Sequence, residues 1–143
     1  MEENLSMPAK EQFAWVWLST MLVTYAAYFT SVFTIGETTA LTQIGLFAAT
    51  TVVQVLVIGT VSAVIAVRHK GGPKSDERDQ LIDQRATRAA YQLLICGMIV
   101  VGCLMPFNNS GWRIFHAAVF SIAVSEIVRH GLMVSMYRRG ANG

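Results

Sequence analysis

The chain reads as an all-α polytopic membrane protein: four transmembrane helices in an antiparallel bundle, with the third extended into the cytoplasm. Three observations lead there. Charged residues make up 14% of the 143, against roughly 25% in ordinary soluble domains. Ten of the twenty Asp, Glu, Lys and Arg residues lie between Arg68 and Arg88, four in residues 1–11, and two are Arg138 and Arg139. The stretches between them are long enough, at about 1.5 Å rise per residue, to cross a hydrocarbon core of about 30 Å. Together these features exclude a soluble globular enzyme, a disordered tail and a disulfide-stapled secreted domain.

The first span is expected at about 13–35, a run without Lys, Arg, Asp or Glu, closed by Gly36-Glu37-Thr38-Thr39. It is expected to be a retained span rather than a signal peptide. The residues before it, Met1-Glu2-Glu3-Asn4, are acidic rather than basic, and the apolar run exceeds the usual core of about 7–15 residues. The second span is expected at 43–67, ended by the breaker cluster His69-Lys70-Gly71-Gly72-Pro73-Lys74. Ser75 can then cap a new helix whose first turn is acidic, as the helix dipole favours. Neither Gly nor Pro follows until Gly97, so one helix is expected from Ser75 to Met105, crossing lipid at 89–105 and stopping at Pro106. The fourth span is expected at 113–137, although it carries Glu126, Arg129 and His130.

Basic residues set the orientation. The 68–88 loop holds Arg68, Lys70, Lys74, Arg78, Arg85 and Arg88, and the tail adds Arg138 and Arg139. The 36–42 turn has none and the 106–113 turn only Arg113. Both termini and the long loop are therefore expected in the cytoplasm, with Trp15, Trp17, Trp112 and Tyr137 as interfacial belt residues. The whole chain, 1–143, reads as a single membrane domain. The net charge of +2 is accounted for by orientation and points to no direct nucleic-acid partner.

The projecting part of the third helix has two faces. Asp76, Asp79, Gln80 and Asp83 share one by their spacing, and Arg78, Ile82 and Arg85 share another. Leu81 and Ile82 are apolar residues outside the lipid and call for cover. A solvated helix laced by local ion pairs is one reading. The other is an interaction surface built from Asp76, Glu77, Arg78, Asp79, Leu81, Ile82, Asp83 and Arg85.

Polar residues inside the spans form the second candidate site: Glu126, Arg129, His130, His116 and Gln54. At about 100° per residue, the four in the last span lie on one half of their helix. A charge deep in lipid costs at least about 2.5–3.5 kcal/mol, so Glu126 is expected to face protein or water. It can pair with Arg129, or it can be a protonatable site in a proton or cation path. Thr, Gln and small-residue stripes in the first two spans, including Gly59/Ala63 and Ser62/Ala66, fit helix packing and a homodimer or small homo-oligomer.

No cofactor is expected: His69 and His130 could approach near the cytoplasmic side, but two histidines alone are a weak signal for a haem carrier or membrane enzyme. His116 and His130 are fourteen residues apart on one helix, about 21 Å, too far to share an iron. Cys96 and Cys103 match no zinc spacing and can be small apolar residues. No P-loop, dinucleotide fingerprint, HExxH or nucleophile elbow is present. No catalytic residue and no metal ligand is assigned.

Ser75-Asp76-Glu77-Arg78-Asp79-Gln80-Leu81-Ile82, then Arg85-Ala86 and Arg88-Ala89-Ala90-Tyr91, resembles the cytoplasmic loop of a widespread family of small, uncharacterised bacterial four-span inner-membrane proteins. Glu126 with Arg129, then Tyr137-Arg138-Arg139-Gly140, is similar to the end of that family's last helix. The resemblance covers the second half of the chain. It implies the topology, and, because some members look like neighbours of small helix-turn-helix regulators, a regulatory role; it implies no reaction. The expected function is therefore a non-enzymatic inner-membrane protein, regulatory or scaffolding, whose cytoplasmic helix and tail bind a protein partner. The alternative is a small transporter or channel component moving protons, cations or a small solute past Glu126.

Overall fold

A computed structural model describes residues 9–36, 39–68, 77–107 and 110–141. All of the regular structure among them is helical: α1 (Ala9–Ile35), α2 (Ala40–Arg68), α3 (Glu77–Ile99) and α4 (Gly111–Ala141). Each helix, with the continuation of α3 to Phe107, is long and apolar enough to cross a membrane. In lipid a helix satisfies its own backbone, which is why unbroken apolar runs take this form. Except at Ile35, where α1 ends as expected, the helices reach one to several residues beyond the expected spans, since polar ends keep a helical backbone once outside lipid. The expected breaker cluster at 69–74 and the Ser75 cap lie outside the described residues.

The chain packs as two compact units that divide between residues 74 and 75. The first is an antiparallel hairpin of α1 and α2. Gly36, at φ +68°, ends α1 in the left-handed region that a residue without a Cβ adopts freely, and its N–H bonds back to Val32 O at 3.2 Å. Thr39 opens α2: its carbonyl accepts from the N–H groups of Thr42 and Gln43. Ala14, Met21 and Tyr28, seven residues apart, form the buried stripe of α1. Tyr28 sets its ring edge-on to Phe47 at 6.2 Å between centroids. One level along, Gln54 Nε2 donates to Met21 Sδ at 2.8 Å.

The second unit is a hairpin of α3 and α4. Ile82, Ala86, Ala90 and Val101 are buried, and Gly97 shares their side of α3. Gly97 is the point of closest approach. A Cβ built there would meet Ser121 Oγ at 2.7 Å and Ser121 Cβ at 2.8 Å. Small residues serve here because lipid supplies no hydrophobic drive between helices, so attraction must come from close backbone packing.

The expected uninterrupted helix to Met105 needs one correction. After Ile99 the backbone widens to a π turn over Val100–Leu104 and then tightens to a 3₁₀ turn over Met105–Phe107. Met105 N–H reaches back five residues to Val100 O. The cause is Pro106, which has no N–H and whose ring crowds the carbonyl four residues earlier, so the regular ladder cannot run through it. Helical structure therefore passes Pro106 by one residue instead of stopping there. The α4 helix restarts at Ser110, whose carbonyl accepts from Ile114 N–H.

Candidate functional site

Three ionisable residues of α4, Glu126, Arg129 and His130, meet on one side of the helix. Glu126 Oε2 lies 3.6 Å from His130 Nε2 and 4.0 Å from Arg129 Nη1, the i, i+4 and i, i+3 neighbours that helical geometry places on one side. Arg129 also reaches across to α3. Its Nη2 donates to Asp83 Oδ1 at 3.1 Å, so one guanidinium bridges two carboxylates on two helices. The planar fork of arginine suits that task, whereas an ammonium would act as a single point charge. Two turns further along, Tyr137 Oη donates to Asp79 Oδ1 at 3.0 Å. The phenol itself is buried.

The cluster is neither dry nor fully wet. The side chains of Arg129 and Glu126 are about one-third exposed and that of Asp83 about half, while His130 is buried. Such pairs align two helices more than they stabilise them, because partial solvation screens the charges. Among the described residues no group of three or more His, Cys, Asp and Glu is placed to hold a metal ion. Cys96 and Cys103 are exposed and unbridged.

The expected interaction surface divides in two. Asp79, Ile82 and Asp83 turn inward: the two carboxylates bond α4 and Ile82 is buried. Glu77, Arg78, Leu81 and Arg85 are exposed, as is Arg88. Asp76 lies outside the described residues. The expected polar cluster divides as well. Glu126, Arg129 and His130 come together, but His116 keeps aromatic company instead, 6.3 Å from the ring of Trp112 and 5.6 Å from that of Phe115. Gln54 belongs to the first unit, where it bonds Met21.

Two functional positions escape a reading of the sequence. Tyr137 looks like a belt residue and is in fact the partner of Asp79. It stands eight residues from Arg129 while Asp79 stands four from Asp83, so spacing alone did not announce the pairing. Gly97 carries no such signal, because a lone glycine in a span is ordinary.

A family model described as "Predicted membrane protein (DUF2178)" matches residues 18–141. The chain belongs to that family. The match takes in most of α1 and all of α2, α3 and α4, so Asp79, Asp83, Arg129 and Tyr137 lie within the matched residues. With four helices able to span, this DUF2178 member is a multi-pass integral membrane protein. No curated protein and no solved structure matches the chain.

Proposed function

We propose that this protein is a non-enzymatic component of a bacterial inner membrane, with both termini and the 68–88 loop in the cytoplasm, that presents a rigid helix pair to a cytoplasmic protein. One observation carries the reading. The acidic side of the α3 extension is consumed by α4 through Arg129 and Tyr137, which holds the helix with Arg78, Leu81, Arg85 and Arg88 turned away. Leu81 is 54% exposed in this setting. An ordered, basic face around an apolar side chain suits a partner with an acidic, apolar-centred surface.

The hairpin register supports the same reading over a transport path. Asp83 faces Arg129, and Gly97 faces Ser121, so Glu126 falls level with the residues just after Arg88. Glu126 lies thirteen residues from Arg113, about 20 Å, so Glu126, Arg129 and His130 stand past the midplane on the cytoplasmic side. The contacts of the Glu126 carboxylate with Arg129 and His130 fit a structural brace that offsets the cost of a charge within the span.

Site-specific photocrosslinking in cells tests the proposal. A photoreactive residue at Leu81 or Arg85 should trap one discrete protein adduct, the same residue at Ile82 should not, and Leu81→Asp should abolish trapping at Arg85. Equal trapping at Leu81 and Ile82, or lipid adducts alone, would refute the surface.

A further inference from the structure

The first unit carries a feature that the proposed cytoplasmic surface does not use. Gln54 is the middle residue of α2 (Ala40–Arg68) and is only 8% exposed. Its Nε2 donates to Met21 Sδ, a weak acceptor. Among the described residues its amide oxygen has no hydrogen-bond partner. That side chain borders an open groove of about 460 Å³ along the α1–α2 hairpin, lined also by Trp17, Tyr25, Thr51, Val55 and Gly59. Gly59 has no atom within 4 Å of where a Cβ would stand, so another helix can approach the α2 backbone at that point.

A helix of this length centres Gln54 near the bilayer midplane, where no water reaches an idle amide. Lipid tails have no donor to offer it. Ser121 and Ser125 of α4 are spent on carbonyls of their own helix, Ala117 O and Ile122 O. A second Gln54 is chemically sufficient. One N–H of each amide stays on Met21 and the other donates to the partner's oxygen, so a two-fold axis satisfies both amides at once. Of the four helices, α2 also buries the least of its own length.

We propose that the α1–α2 groove is a self-association surface occupied by α2 of a second copy of this chain, with the two Gln54 amides hydrogen-bonded to each other beside Gly59. The bonds supply the specificity and the glycine supplies the close approach.

Full-length protein labelled at its C-terminus and diluted in liposomes gives the test, read by energy transfer against protein-to-lipid ratio. Wild type should associate, and Gln54→Leu should raise the apparent dissociation constant about 3- to 30-fold, the range for one interhelical hydrogen-bond contact in lipid. Gly59→Ile should weaken association at least as much; because no atom of the described residues lies within 4 Å of a Cβ there, it separates loss of association from loss of folding. In a Cys96→Ser/Cys103→Ser background, Val55→Cys should oxidise to a dimer that Gln54→Leu diminishes. A monomer at every density, identical curves for wild type, Gln54→Leu and Gly59→Ile, or Val55→Cys protein that never cross-links between copies would overturn the proposal.

Discussion

Arg129 of α4 and Asp83 of α3, forty-six residues apart in sequence, meet at 3.1 Å and tie the two helices together. The same guanidinium also stands 4.0 Å from Glu126, so its removal leaves two carboxylates facing each other across the hairpin. The exchange Asp83→Arg with Arg129→Asp tests whether the pair itself matters. Each single change should lower the thermal midpoint in detergent, and the double should recover part of the loss. Because both side chains are substantially exposed, the coupling should be about 1 kcal/mol or less. A coupling indistinguishable from zero would reduce the pair to a passive contact.

Tyr137→Phe removes one hydroxyl and leaves the ring. It should destabilise the hairpin by about 0.5–1.5 kcal/mol, the usual net worth of a hydrogen bond. Arg139→Ala, two residues on and exposed, should stay within about 0.5 kcal/mol, as surface changes away from such features do. Hydrogen exchange in the first turns of α3 is the finer readout: it should accelerate in Tyr137→Phe and not in Arg139→Ala.

At Gly97 the objection to a side chain is steric. Gly97→Ala drives a methyl against Ser121 Oγ and Cβ, and overpacking of this kind costs about 1–3 kcal/mol. Ser121→Gly in the same chain should restore most of the stability. The control is Gly59→Ala, where open space surrounds the new methyl and unfolding of the monomer should not move. Equal tolerance at both glycines would contradict the packing described for α3 and α4.

Topology follows from the basic residues. Reporter fusions after Asn142 and within 74–80 should both read cytoplasmic, and a fusion at Asn108 should read on the opposite side. A periplasmic readout from either of the first two sites would break the orientation.

Much of the molecule was legible in the sequence because helix formation in lipid is a local matter. An apolar run of sufficient length satisfies its own backbone wherever it sits, so charge distribution and hydropathy determined four helices and their approximate ends. Pro106 announced the irregular end of the third helix, since a missing N–H and a crowding ring act on the immediate neighbours alone. Which side chains meet between helices is decided by relative rotation and axial register, and these come from packing two surfaces together. From spacing alone Asp79 and Asp83 could face solvent, a partner or the basic tail; only the α3–α4 register placed them on Tyr137 and Arg129. It likewise drew Ile82 inward while leaving its neighbour Leu81 outside, and among the described glycines it made Gly97 the one where an added Cβ meets a neighbour, Ser121.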